Sequence, residues 1–514
     1  MKSQFVSRSY QLLIALFVSA TLVACGGSDG GSSSTSNSPV YTAIFDAGSS
    51  GTRLSFYKVI PGNGGYPTIT KIKTFNDKLY GVPNDDGIND FLNGAGVIKL
   101  SAGETLPPGC PGTSGLGQLD VEPCVIQPLL IQLDQEIANL NSASPNLNLT
   151  KAQVKLELFA TAGMRTEDRS NGGNNTTATI LEYYNQMKTY VSQWGYGTGE
   201  FKTINGNSEE GVWTWTNLND YYFNSFGGNT TVSQTVQAPV GDFEVGGSSM
   251  QIAFPTNSSP SDADNVYRVS INGRTFSVFS KTFLGLGGDD ARKYVKAFNY
   301  SANNGGADCY ASTATGVTTK ETSGIALYPF DQVISGTYPF PSNSVVIAPW
   351  YLATVAQLGL TGAPSYNFAT CAPKFQTIVD QVTSLQRNKY GTLSEGAIAT
   401  MASFKTKLET SIAPFYGTDN FFFTANDLSY APTTGFNPTT FKNTLTSYCA
   451  GSVAADWFAQ SICPNGTFMD TYLFGSSGLF TNSTATFSGV LNPESGGETV
   501  LTWTRGYLLL KYAN

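Results

Sequence analysis

One twelve-residue device occurs twice in this chain, and the repeat limits the fold more than any other property of the sequence. The first copy reads Phe45-Asp46-Ala47-Gly48-Ser49-Ser50-Gly51-Thr52-Arg53-Leu54-Ser55-Phe56. The second reads Phe243-Glu244-Val245-Gly246-Gly247-Ser248-Ser249-Met250-Gln251-Ile252-Ala253-Phe254. Both set Phe, an acid, a small apolar residue and Gly before a Ser/Gly run. A long polar residue, an aliphatic, a small residue and Phe follow. Alternating flanks around turn chemistry predict a strand, a tight turn and a second strand, with an acid near the end of the first strand. Small residues let backbone N–H groups approach an anion, and Ser adds hydroxyl donors. Two such loops facing each other would clamp a polyphosphate, with Asp46 and Glu244 holding a hydrated cation over it. Either hairpin alone reads equally as an ordinary Gly/Ser turn, and it is the matched pair that points to the clamp.

The rest of the chain alternates between strand and helix patterns. Val154-Lys155-Leu156-Glu157-Leu158-Phe159-Ala160 alternates as a strand, and residues 179–194 read as an amphipathic helix stopped by Gly195. A short strand is expected at 201–204, a helix at 213–222, further strands within 266–283 and a helix opening after Gly287-Gly288. Residues 125–140 and 502–512 have helical spacing, while 62–125 read as a loop-heavy excursion. Residues 300–420 carry no clear period. Strand, turn, strand and helix, occurring twice, predict two α/β domains around a cleft, and a length of 514 residues exceeds one comfortable core.

Composition removes whole classes of chemistry. The chain contains no histidine, which excludes Ser-His-Asp and Cys-His catalysis and His-based zinc sites. Any general base is then a carboxylate or, less readily, Lys, Tyr or Cys. The net charge of −8 offers nothing to track a nucleic-acid polymer. An acidic protein handling an anionic substrate needs a divalent cation, and oxygen ligands point to Mg²⁺ or Ca²⁺.

The N-terminus reads as an address. Lys2 and Arg8 precede an apolar run, and Leu22-Val23-Ala24-Cys25 resembles a bacterial lipobox. Residues 1–24 are then a lipoprotein signal peptide, with lipid carried on Cys25, and 25–40 a flexible Gly/Ser tether. The expected location is outside the cytoplasm, anchored to a bacterial membrane. Gly26 after the Cys resembles lipoproteins sorted to the outer membrane, facing the periplasm or the surface. Six further cysteines in an exported chain imply three disulfides among fifteen possible pairings. Sequential pairing closes the shortest loops: Cys110–Cys124, Cys309–Cys371 and Cys449–Cys463.

Four motifs in order now match a family. Asp46-Ala47-Gly48-Ser49-Ser50-Gly51-Thr52-Arg53 resembles the first signature of the nucleoside triphosphate diphosphohydrolases, or apyrases. Ala160-Thr161-Ala162-Gly163-Met164-Arg165 resembles the second, Ser208-Glu209-Glu210-Gly211 the third and Glu244-Val245-Gly246-Gly247-Ser248-Ser249-Met250-Gln251-Ile252 the fourth. Residues 280–292, the Phe421-Phe422-Phe423-Thr424-Ala425 run and Trp503-Thr504-Arg505-Gly506-Tyr507 extend the likeness. The implied fold is α/β, the duplicated actin- and hexokinase-like (ribonuclease H-like) arrangement of two domains with the active site in the cleft between them. The implied first domain is discontinuous, 41–205 plus 494–514, and the second is 206–493. The resemblance assigns Glu210 to activation of the attacking water. It places Asp46, Glu244, Thr161 and Trp503 around a metal held through its waters. Ser49, Ser50, Gly51, Gly246, Gly247, Ser248 and Ser249 match the phosphate loops, and Ser249 would help Glu210 position the water. The family usually has Asp where this chain has Glu244, so the metal waters or the loop must shift by about one methylene.

The implied activity is removal of terminal phosphates from nucleoside tri- and diphosphates. Two readings compete: an exopolyphosphatase-like enzyme, which uses similar loops, and a non-catalytic lipoprotein binding nucleotide or glycan. A binding module has no need of Glu210 beside two metal-holding acids. Glu209 is the alternative base, and a solvated acidic pair the alternative meaning of Glu209-Glu210. For Arg165 a surface ion pair and a structural role at the cleft both stand. Phe421, Phe422, Phe423 and Tyr351 are candidates for stacking on a nucleobase, against the commoner role of aromatics as core.

Overall fold

The computed structural model describes residues 38–49, 51–62, 66–76, 87–98, 105–168, 175–223, 225–226, 238–297, 306–314, 363–389, 401–454, 457–495 and 498–513. The signal peptide, Cys25, most of the Gly/Ser tether, Ser50 and Tyr351 lie outside these residues. Among the described residues no helix is long and apolar enough to cross a membrane.

The two hairpins each seed a sheet. In the first, β1 (Val40–Gly48) and β2 (Gly51–Ile60) run antiparallel, with Asp46 opposite Arg53 and Gly48 opposite Gly51. β3 (Thr68–Asn76) adds antiparallel to β2, and β4 (Val154–Ala160) and β5 (Gly197–Thr203) add in parallel on the other side. The order is β3-β2-β1-β4-β5. In the second sheet β6 (Gly241–Val245) and β7 (Ser249–Pro255) form the hairpin, with Glu244 opposite Gln251. β8 (Val266–Ile271) and β9 (Arg274–Leu284) extend it antiparallel, while β10 (Phe415–Asp419) and β11 (Phe487–Val490) add in parallel beside β6. The order is β11-β10-β6-β7-β9-β8. Without β8, the second sheet repeats the first strand for strand and direction for direction. The duplication expected from twelve residues therefore covers a whole five-strand topology.

Period-two alternation puts the two faces of the first sheet in different cores. Phe45, Phe56, Leu156 and Leu158 pack under the helices Gln127–Ala143 and Thr177–Gln193, through Leu129, Leu133, Ile180 and Met187. Ile44, Tyr57, Val59 and Phe159 face the other way. They meet Trp213 and Trp215 of the Val212–Tyr221 helix and Trp503, Leu508 and Leu509 of the Trp503–Tyr512 helix. Ala253, Val269, Ile271 and Val278 of the second sheet close the same cluster from the far side. These two helices thus lie between the sheets. A third cluster joins the other face of the second sheet to the helical layer that contains Trp457–Phe474.

The three disulfides are Cys110–Cys124, Cys309–Cys371 and Cys449–Cys463, the sequential pairing. One expectation needs correction. Residues 62–125 are not all excursion, because β3 lies within them. Its exposed Lys73 and its Thr residues suit a sheet edge, where charge discourages further pairing, and they blur the alternation.

Candidate active site

Both hairpin turns are built from glycines for steric reasons. A Cβ on Gly48 would lie 3.2 Å from the Gly51 carbonyl oxygen, and one on Gly246 would lie 3.2 Å from that of Ser249. Gly51 has φ of 144°, open to few other residues. Behind the first loop, a Cβ on Gly87 would come within 2.8 Å of the Ser49 oxygen, and one on Gly163 within 3.0 Å of the Ser49 Cα. The glycine of the second motif therefore packs on the loop of the first. Ser248 and Ser249 are buried at the second turn.

Glu210 sits in a widened helical turn, Gly206–Gly211, of the kind frequent at functional sites. The Asn205 side chain caps it by accepting from the Asn207 and Ser208 N–H groups at 2.8 and 3.0 Å. Asn207 pins the turn to the second sheet by accepting from the Thr282 N–H at 2.7 Å. Gly206 and Gly211 let it close, since a Cβ on either would stand 2.3 Å from Thr282 or Ser280. The two adjacent acids diverge. Glu209 accepts from the Lys202 Nζ at 2.8 Å and from the Asn205 N–H at 2.7 Å, at the edge of the turn. Glu210 turns inward, and its Oε2 lies 2.7 Å from the Arg165 Nη1.

Arg165 joins three motifs. Its Nη2 donates to the Ser249 Oγ at 3.1 Å and its Nη1 to the Ile204 carbonyl at 3.3 Å, and the residue is 7% exposed. Of its two sequence readings, the surface ion pair is thereby excluded. Gln251 Nε2 donates to the same Ser249 hydroxyl at 2.7 Å. Arg165→Lys keeps the charge but loses the fork that spans Glu210 and Ser249. A hydrogen bond to a charged group contributes about 1.5–3 kcal/mol, so turnover is expected to fall by roughly 10–100-fold. The Michaelis constant should change far less. Steady-state kinetics checks this, and parental turnover in the Lys variant would show that the bridge has no role.

The acids form one electrostatic neighbourhood. Burial pushes the Asp46 carboxyl up to about 6; Arg53 pulls against it, while Glu210 and Asp419 push it the same way. A hydrogen bond from the Trp503 side chain favours the charged form. Burial raises the Glu244 carboxyl well above its usual range, and the charges of Glu210, Asp419, Asp242 and Asp46 add to the effect. Asp419, pushed up to about 6 chiefly by burial, lies in none of the sequence motifs. It ends β10 beside Val245 with φ of 51°, a strained conformation for a residue other than Gly. The repeat would have found it: β10 stands to β6 as β4 stands to β1, so Asp419 occupies the place of Ala160 and Asn420 that of Thr161. Thr161 itself is buried, its N–H donating to the Ala47 carbonyl at 3.1 Å.

A divalent cation fits this donor set. The Glu244 Oε2 is buried and finds no hydrogen-bond partner among the described residues, and the surrounding carboxylates repel one another. Among the described residues no three His, Cys, Asp or Glu side chains converge closely enough to ligate an ion directly, so the fit is to a cation held through its waters. Of the aromatic candidates, Phe421 is core, packed on Phe243, Phe441 and Phe487. Phe422 and Phe423 are partly exposed and meet edge to face at 5.7 Å.

Comparison with known proteins adds a lineage to this geometry. Ectonucleoside triphosphate diphosphohydrolase 2 of Mus musculus is 30% identical over 149 residues, covering 28% of this chain and 29% of that protein. Its Gallus gallus counterpart is 28% identical over 156 residues, 30% of each chain. The chain thus matches under a third of the length of either relative. Among solved structures, nucleoside triphosphate hydrolases from Neospora caninum share the fold, with a TM-score of 0.51 and 14% identity over 92% of this chain and 93% of that one. The family model for GDA1/CD39 matches residues 143–460, more than half of the chain, and the protein belongs to the GDA1/CD39 (nucleoside phosphatase) family.

Proposed function

We propose that the protein is an exported nucleotidase, lipid-anchored through Cys25, that hydrolyses terminal phosphates of nucleoside tri- and diphosphates. The observation that carries the reading is the placement of Glu210. Its buried carboxylate is paired with Arg165, which also donates to Ser249 on a glycine-rich loop, and its charge is felt by both Asp46 and Glu244. A binding module would gain nothing from such a group. The site lies in a cleft between a first domain of residues 41–205 plus 494–514 and a second of 206–493.

Each residue has a task in this scheme. Ser49, Ser50 and Gly51 of the first loop and Gly246, Gly247, Ser248 and Ser249 of the second hold the phosphates by backbone N–H groups and hydroxyls. Glu210 accepts a proton from the attacking water as its oxygen bonds to the terminal phosphorus. The bond from that phosphorus to the bridging oxygen breaks in line, and the shortened nucleotide leaves. Ser249, held by Arg165 and Gln251, orients the water. Asp46, Glu244, Thr161 and Trp503 would hold a hydrated Mg²⁺ or Ca²⁺, and the new carboxylate Asp419 faces the same region. When bound, the cation neutralises charge spreading over the transferring phosphoryl group.

The deciding experiment is phosphate release from ATP, ADP, GDP, UDP and polyphosphate, with and without Mg²⁺ or Ca²⁺. Nucleotides are expected to be hydrolysed, and only with a divalent cation. Full activity in excess chelator, with metal content confirmed absent, would overturn the metal role. Hydrolysis of polyphosphate alone would transfer the chain to the competing reading.

A further inference from the structure

We infer that residues 285–290 are the positioning element of the second phosphate loop: they aim the N–H groups of Gly247 and Ser248 at the substrate before it arrives. This rests on the reading of the site as one that binds nucleotide phosphates. The directions of two peptide planes carry the inference. The Gly246 carbonyl accepts from the Gly288 N–H at 2.9 Å. The Gly247 carbonyl accepts from Asp289 at 2.9 Å and Asp290 at 3.3 Å, and that of Ser248 from Gly285 at 2.7 Å. In a planar trans peptide the C=O and the following N–H point opposite ways. Fixing the Gly246 and Gly247 oxygens against this segment therefore turns the N–H groups of Gly247 and Ser248 away from it. Those two N–H groups have no hydrogen-bond partner among the described residues. They are left for an external acceptor.

The segment is shaped for the task. A Cβ on Gly287 would stand 2.1 Å from the Gly247 oxygen and 2.4 Å from the Ser248 nitrogen, so no other residue allows so close an approach. Gly285 has φ of 85°, which returns the chain toward the loop after β9. The donors at 288–290 open the Gly288–Ala297 helix, so these first-turn N–H groups are satisfied by loop carbonyls. Behind them the helix start is clamped. Arg292, 2% exposed, ion-pairs with Asp289 and donates to the Asn465 Oδ1 at 2.7 Å on the Trp457–Phe474 helix. The loop is thus tied by backbone to the rigid helical layer on the far side of the second sheet.

Residue-resolved amide hydrogen exchange on the full chain tests this, with and without the β,γ-imido analogue of ATP plus Mg²⁺. The N–H groups of Gly285, Gly288 and Asp289 are expected to be protected in both states. Those of Gly247 and Ser248 should exchange freely without nucleotide and slow by at least tenfold with it. Binding of the analogue with Gly247 and Ser248 still labile would overturn the inference alone, as would rapid exchange at Gly288 and Asp289 in the free protein. No binding of any nucleotide would overturn the reading of the site and this inference with it. In a second measurement, Gly287→Ala should raise the calorimetric Kd for the analogue by at least tenfold while the three disulfides and the far-ultraviolet spectrum stay parental. Unchanged affinity in that variant counts against the positioning role. Where it does not fold, Arg292→Lys carries the comparison, with a smaller rise in Kd expected, and the exchange measurement on the parent decides regardless.

Discussion

Glu210→Gln should lower turnover by roughly 10²–10⁴-fold, the usual contribution of general acid–base catalysis. The amide keeps the size and one accepting oxygen of the carboxylate but takes no proton at neutral pH. Nucleotide affinity should change little, because the two loops and Asp46, Glu244 and Asp419 are untouched. The ion pair with Arg165 is lost, so some of the loss reflects a less constrained Arg165 and Ser249. Glu209→Gln is the control that the geometry provides. Its carboxylate is engaged by Lys202 and the Asn205 N–H at the edge of the turn, away from Ser249, so turnover should stay within a few-fold of the parent. Steady-state phosphate release alongside calorimetry of the imido analogue with Mg²⁺ separates the cases. Near-parental turnover in Glu210→Gln would move the base elsewhere. A parallel loss of binding would assign Glu210 to the cation site.

The contrast between those two acids marks where sequence reading stops. A signature gives both Glu residues, and nothing in the pattern of a widened turn says which faces inward. That is decided by Asn205 capping and by Asn207 tying the turn to Thr282, contacts between elements far apart in the chain. Strand β4 was legible because Val154–Ala160 combines alternation with branched and aromatic side chains. The hairpins were legible because Gly and Ser punctuate them. Asp419 was invisible for the opposite reason: its strand is short, almost wholly buried and without alternation, and its importance appears only when β10 is laid beside β6. For Arg165 the sequence leaves surface charge and a structural role at the cleft both open, and only the fork across two motifs decides between them. The helix Trp457–Phe474 gave no amphipathic signal, since most of its described residues are buried on all sides.

Deleting residues from Trp503 onward should abolish both activity and cooperative folding, the largest structural effect expected for this chain. The helix is wedged between the sheets so closely that a Cβ on Gly506 would lie 1.8 Å from the Trp213 carbonyl oxygen. Leu508 and Leu509 are fully buried, and Trp503 packs against Phe159 and Trp213 with ring centres 6.0 and 5.9 Å away. Its loss would also take partners from two buried acids, Glu157 keeping, among the described residues, only Lys155 at 3.5 Å. Glu157, 1% exposed, accepts from Lys511 at 2.8 Å and Tyr507 at 3.0 Å, and Asp220 pairs with Arg505 at 2.5 Å. Removing one partner of a buried ion pair costs about 3–5 kcal/mol, and two such losses approach the ~5–15 kcal/mol that holds a typical domain together. Gly506→Ala isolates the wedge from the charges. The added methyl must push apart a pair of helices in backbone contact, an overpacking cost of about 1–3 kcal/mol, so the protein should still fold but melt earlier. The same shift would move Trp503 relative to Asp46, whose charged form it favours, and reduce turnover. Thermal unfolding and phosphate release on both variants check these effects. A truncated chain that unfolds cooperatively and retains full activity would show that neither the wedge nor Trp503 has the role assigned to it.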